Sequence, residues 1–292
     1  MTEAVPQTGY APVNGLQMYY EIHGSGEPLM LLHGAYGTID LWGPLLASLA
    51  ERRQVIAVEQ QAHGHTADID RPLSYEQMTE DTAALMRHLG IEHADVFGYS
   101  MGGNIGLQLA MRHPELVRKL VAVSANYRSD GYHPELLELI QTITPEVFAG
   151  SPLEDSYLRN APNPDNWPTL IDKLKQLDAQ EFAWPEEAIR AISAPTLLIM
   201  GDSDAMRPEH MVELFRLLGG GVPGDLTGLP KSQLAVVPGA THVSLVTERA
   251  DAVTDSDPYT SAGRGDSLKN ICPVRTPFVR YTSARVPADE TG

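Results

Sequence analysis

Hydrophobic positions along the chain fall into short, nearly unbroken apolar runs separated by longer segments in which apolar residues recur every three or four positions. The runs occupy residues 16–24 ("LQMYYEIHG"), 28–34, 54–59, 94–100, 117–125, 195–201 and 232–239. Runs of four to eight apolar residues with little polar alternation suit strands buried on both faces. Between them, "IDLWGPLLASLAE" (residues 39–51) places Leu41, Leu45, Leu46 and Leu49 on one helical face. Residues 74–90 open on a capping-box pattern, Ser74 to Gln77, and stop at Gly90. Residues 101–114 and 208–220 read as two more helices. Strand and helix in this rhythm predict an α/β fold, with a mostly parallel sheet of about eight strands flanked by helices on both faces.

The rhythm breaks between residues 126 and 190. Here helical pieces are punctuated by Pro152, Pro162, Pro164, Pro168 and Pro185, with no convincing strand. An insertion capping the carboxyl edge of the sheet accounts for this better than a second domain. The expected organisation is therefore a core in two parts, residues 1–125 and 191–253, a helical cap over 126–190, and an irregular tail over 254–292. The tail is rich in Ser, Thr, Pro, Gly and Arg and shows no helical period. We expect it to be dispensable.

Composition narrows the function. A chain of 292 residues suffices for one large α/β domain, and a net charge of -17 argues against nucleic acid or an anionic membrane as partner. Residues 1–15 have neither a basic start nor an apolar core, and no stretch approaches transmembrane length. A cytoplasmic protein, monomeric or homodimeric, is expected. Cys272 has no second cysteine to pair with. Neither H-E-x-x-H, paired C-x-x-C nor a phosphate-cradling G-x-x-x-x-G-K-[ST] occurs, so neither a metal nor another cofactor is expected.

The stretch "DVFGYSMGGNIG" carries the chemistry. Gly98-Tyr99-Ser100-Met101-Gly102 fits G-x-S-x-G at a strand-to-helix turn, the setting of a nucleophile elbow. So sharp a turn leaves no room for side chains at Gly98 and Gly102, and it exposes the Ser100 hydroxyl at a helix N-terminus, where developing negative charge is favoured. A serine hydroxyl needs a base, and the base needs an orienting acid. Asp202 and Asp204 follow one later strand and His242 follows the last, both at strand carboxyl ends and in the order Ser, Asp, His.

These motifs resemble the α/β-hydrolase superfamily, specifically its small capped esterase, C-C hydrolase and haloperoxidase-like branch. The resemblance selects Asp204, which matches the G-x-x-D pattern from Gly201, over Asp202, and it matches His242 to P-G-x-x-H from Pro238. It implies a Ser100-His242-Asp204 triad. From "LLHGAYG" it implies an oxyanion hole made by the backbone N–H groups of Ala35 and Met101, with His33 bracing the loop. Tyr36, Trp42 and Tyr99 are candidates for the substrate pocket. "VEQQAHGHTAD" departs from the family's D-x-R-G-x-G-x-S loop: Glu59, Gln61 and Thr66 stand for its Asp, Arg and Ser. The expected partner is a small-molecule ester or lactone. C-C cleavage and perhydrolysis reuse the same triad, and non-catalytic ligand binding is the rival from outside enzymology. A serine at the elbow disfavours the aspartate-nucleophile chemistries of this superfamily.

Overall fold

The computed structural model describes residues 5–249, so the expected tail and Cys272 lie outside the described residues. All seven apolar runs form strands, and an eighth precedes them. In chain order they are β1 (Gln7–Val13), β2 (Leu16–Gly24), β3 (Pro28–Leu32), β4 (Gln54–Val58), β5 (Ala94–Tyr99), β6 (Val117–Val123), β7 (Thr196–Ser203) and β8 (Gln233–Thr241). One sheet results, ordered β1-β2-β4-β3-β5-β6-β7-β8. The β1/β2 and β2/β4 pairs are antiparallel, and every pairing from β4 to β8 is parallel. Although β2 and β3 are consecutive in the chain, β4 lies between them. Strand β1 escapes the apolar-run criterion because its first half is exposed. Its signal is Asn14-Gly15, both at positive φ (45° and 89°), the combination that a tight type I′ hairpin requires.

The helices are α1 (Gly43–Ala50), α2 (Tyr75–His88), α3 (Met101–Arg112), α4 (Pro134–Gln141), α5 (Pro152–Asn160), α6 (Trp167–Asp178), α7 (Glu186–Arg190), α8 (Pro208–Leu217), α9 (Gly224–Thr227) and α10 (Ser244–Thr247). The central apolar runs are unbroken because their strands feed two cores, whereas in β8 only Val237 and Ala240 are buried. Leu29, Leu31, Val55 and Ala57 pack with Leu45 and Leu49 of α1 and Leu245 of α10 on one face. Met30, Leu32, Ile56 and Val58 point the other way, into a cluster with Met78 and Leu85 of α2, Ile105 of α3 and Leu214 of α8. The segment read as one helix over 39–51 is a 3-10 turn (Ile39–Trp42) followed by α1, broken where Gly43 takes φ 41°. Leu45 and Leu49 are buried as that reading requires, whereas Leu41 and Leu46 are only partly so. Ser74 caps α2 as expected, its hydroxyl accepting the Gln77 N–H at 3.2 Å.

Helices α4 to α7 occupy the chain between β6 and β7, where no residue joins the sheet. Hydrogen bonds tether them to the core. Asp40, ahead of α1, accepts from Ser156 (2.7 Å), Arg159 (2.8 Å) and Asn160 (3.1 Å) of α5. On α6, the Lys173 ammonium donates to Asp68 (2.7 Å) and to the Ile69 and Arg71 carbonyls (2.9 Å each). The loop departing from D-x-R-G-x-G-x-S takes part: Gln61 spans Asp68 and Arg71 through its amide, Glu59 accepts the N–H groups of Ile39 and His65, and Thr66 donates to the Glu59 carbonyl. Lys173 and Asp68 are each largely buried, so losing the ammonium leaves the Asp68 carboxylate without its counter-charge and the Gln61 amide as the remaining donor to it and to the two carbonyls. Lys173→Met is expected to cost about 2 kcal/mol, about 4–8 °C in melting temperature for a chain of this size. A scanning-calorimetry shift below 1 °C would show that α6 is held by packing alone.

Candidate active site

Ser100 sits between β5 and α3 with φ 53° and ψ -118°, a conformation that a residue with a Cβ adopts only at a cost of about 1–3 kcal/mol. The surroundings enforce it. A Cβ on Gly98 would run into the Gly102 carbonyl, and one on Gly102 into the Leu32 carbonyl, so β5, α3 and the end of β3 approach too closely for any side chain at either glycine. The Ser100 N–H donates to the Val123 carbonyl of β6 at 2.8 Å. Backbone contacts on three sides thus hold the hydroxyl at the carboxyl edge of the sheet.

Strand register brings the other two residues to the same edge. His242 follows β8 directly, and its ring is 3.0 Å from the Ser100 hydroxyl through Nε2 and 2.9 Å from Asp204 Oδ1 through Nδ1. Asp204 is buried. Burial alone pushes its carboxyl up, but His242, the Ser124 hydroxyl (2.6 Å) and the Gly201 N–H (2.9 Å) outweigh it and hold the group below the usual carboxylate range. An ionised Asp204 accepts only, so Nδ1 of neutral His242 carries the proton and Nε2 presents a lone pair to Ser100. The Tyr99 hydroxyl donates to the His242 carbonyl at 2.9 Å and fixes the loop that carries the ring. Asp202 points elsewhere, accepting the Gly239 N–H at 2.9 Å from an exposed position near the end of β7.

The loop after β3 is pinned through a buried imidazole. His33 Nε2 accepts the Gln60 N–H at 3.1 Å, which leaves Nδ1 as donor to the Gly34 carbonyl at 2.8 Å. Burial favours the uncharged ring that this arrangement requires. The Gly34 carbonyl and the Ala35 N–H belong to one trans peptide and point in opposite directions. His33 therefore sets the direction of the Ala35 N–H without touching it. The Met101 N–H opens α3, where the helix dipole adds positive potential.

Ser100, His242, Ala35 and Met101 all line one cavity of about 1090 Å³. Leu136 and Ile140 of α4, Leu153 of α5 and Leu177 of α6 line it too, so the inserted helices contribute part of its wall. Tyr36, Trp42 and Tyr99 line it as well. Tyr36 packs against Phe148 and Trp167, and Trp42 is buried edge-on against Phe97. Three residues with a part here were not singled out from the sequence. Ser124 supports Asp204, and its only signal is a place at the carboxyl end of β6. Tyr132 and Asp178 lie in the segment without strands, whose sequence says nothing about which side chains turn inward. Among the described residues, no group of three or more His, Cys, Asp or Glu side chains is placed to hold a metal ion. No helix among them is long and apolar enough to cross a membrane.

Residues 27–161 match the family model described as alpha/beta hydrolase fold. A protein of Azorhizobium caulinodans named "Putative carbamate hydrolase RutD" is 32% identical over 255 residues, 80% of this chain and 91% of its own length. The 2-hydroxymuconate semialdehyde hydrolase of a Pseudomonas species is 28% identical over 217 residues, 66% of this chain and 76% of that protein. Among solved structures, the enol-lactonase of Burkholderia xenovorans superposes with a TM-score of 0.64 at 24% identity, over 85% of this chain and 97% of that one. Likeness over four-fifths of the chain, joined to the sheet order and the matching family model, makes this chain a member of the α/β-hydrolase family and a hydrolase.

Proposed function

We propose that the protein hydrolyses small to medium-sized carboxylic esters or lactones through an acyl-enzyme on Ser100. The observation that carries this reading is the continuous hydrogen-bond line from the Ser100 hydroxyl through His242 to Asp204. His242 Nε2 takes the proton as Oγ attacks the substrate carbonyl, and Asp204 stabilises the imidazolium that forms. The oxyanion of the tetrahedral intermediate is received by the N–H groups of Ala35 and Met101. Collapse expels the alcohol, which takes the proton from His242. Water then enters, His242 deprotonates it, and the carboxylate leaves as Ser100 regains its proton.

Charge in the cavity favours this reading over C-C hydrolysis. Four carboxylates line it, Asp40, Asp155, Asp178 and Glu248, against one guanidinium, Arg159, which is paired with Asp40 at 2.8 Å. Among the described lining residues no cation is left to receive a substrate carboxylate, as a muconate-type compound would require. Neutral esters and lactones carry no such demand. Carbamate hydrolysis is a second reading, favoured by the name of the 32%-identical relative; it uses the same steps with an amine-bearing carbonyl.

Intact mass after exposure to a small fluorophosphonate is expected to show one adduct on Ser100. A panel of neutral esters, lactones, carbamates and a dienoate semialdehyde is expected to show turnover of the first two classes. Absence of the adduct in folded protein would favour ligand binding without catalysis, and turnover confined to the dienoate would overturn the ester reading.

A further inference from the structure

Asp178 is the last residue of α6 and lines the cavity, yet its carboxyl has neither a hydrogen-bond nor an ion-pair partner among the described residues. Leu177, Leu136 and Ile143 line the same cavity. The titratable groups that face Asp178 are phenols: Tyr36 from the loop after β3, Tyr75 from α2 and Tyr132 from the loop before α4. Each has its own ionisation pushed up first by burial and further by the Asp178 charge. Tyr132 also feels Asp204 and lines the same cavity as Asp178 and Ser100. The Tyr36 hydroxyl is fully buried and has no partner among the described residues.

An unpaired carboxylate at a helix C-terminus is disfavoured twice over, by the negative end of the dipole and by removal from water. Burial pushes its pKa up to about 7. The groups beside it are hydroxyls, which do not neutralise it, and the guanidinium in the cavity is committed to Asp40. The same field that disfavours the free carboxylate favours a cation next to it.

We propose that Asp178, flanked by Tyr36 and Tyr132, forms a cation subsite in the wall of the cavity that Ser100 lines, which receives a protonated amine on the acyl chain of the substrate. The proposal rests on the ester reading above and deepens it: the preferred esters and lactones are amine-bearing. Asp178 must be ionised to act, so the preference grows as pH rises through about 7, while an alkylamine stays protonated up to about 10.

The test compares p-nitrophenyl 6-aminohexanoate with p-nitrophenyl heptanoate, which differ by an ammonium for a methyl. Taking the ratio of the two kcat/KM values cancels the titration of the triad. The ratio is expected to rise between pH 6 and pH 8 in the wild type. In Asp178→Asn and Asp178→Ser, each checked for folding by its melting curve, it is expected to be about tenfold lower or less and flat with pH, the change lying in KM. Calorimetry of n-hexylamine binding to Ser100→Ala protein reads the subsite without catalysis, and its affinity is expected to fall about tenfold on adding Asp178→Asn. Hydrolysis of neither ester together with Asp178-dependent hexylamine binding would sink the ester reading and sustain the subsite. Hydrolysis of both esters at a ratio indifferent to Asp178 and to pH would overturn the subsite alone.

Discussion

Replacing Ser100 by alanine is expected to lower kcat/KM for a neutral ester by on the order of 10⁴-fold or more. The hydroxyl at 3.0 Å from His242 Nε2 is the group on the elbow placed to form the proposed acyl bond, and what would survive its loss is positioning by the cavity and the proposed oxyanion donors. His242→Ala is expected to cost about as much, because an unassisted hydroxyl is a poor nucleophile near neutral pH. The double variant should lose little more than either single one, since the two residues act in one step. Multiplying losses, or a Ser100→Ala enzyme within tenfold of wild type, would contradict the mechanism. Ser100→Gly separates activity from folding: it relieves the strain at φ 53°, so it should melt no lower than wild type while being equally inactive. A lower melting point would mean that the serine side chain supports the fold.

The elbow, the aspartate and the histidine were legible in the sequence because each is tied to a strand end. A short apolar run is recognised from composition alone, and in a parallel sheet successive carboxyl ends gather at one edge whatever lies between them. That is how Ser100, Asp204 and His242, up to 142 residues apart, meet within hydrogen-bond distance. The sheet was legible for the same reason, except for β1, whose half-exposed residues carry no apolar run and whose evidence sits in the Asn14-Gly15 turn instead. The part of the cavity wall made by the inserted helices was not legible. Which residues of α4 to α6 face inward depends on how short helices dock, and that is set by particular tethers such as Lys173 to Asp68 and Ser156 to Asp40. Asp178 is ordinary in the sequence, one carboxylate among 38 acidic residues. Only its place at the end of α6, lining the cavity without a partner among the described residues, sets it apart.

Asp204→Asn is expected to cost about as much activity as losing the base, on the order of 10⁴-fold, while leaving the serine and the histidine in place. Asp204 accepts from four donors, His242, Ser124, the Gly201 N–H and the Met206 N–H. With so many donors converging, one site of the new side chain must be an amide NH₂. If that NH₂ faces His242, the backbone bond it displaces is only the long one from the Met206 N–H at 3.3 Å, and the ring reverses its tautomer: Nδ1 accepts, the proton moves to Nε2, and the lone pair that should receive the Ser100 proton is gone. If the NH₂ faces Gly201 and Ser124 instead, the Gly201 N–H loses its acceptor and the variant loses stability. The two cases separate on the melting curve. The wild-type carboxyl has a depressed pKa in the folded state, so its contribution to stability is full at neutral pH and fades only as pH falls below about 4. At pH 7 the first case predicts an inactive enzyme melting close to wild type, and the second an inactive enzyme melting several degrees lower. Either way turnover collapses. An Asp204→Asn enzyme retaining a tenth or more of wild-type kcat/KM would show that the carboxylate holds the loop rather than the tautomer.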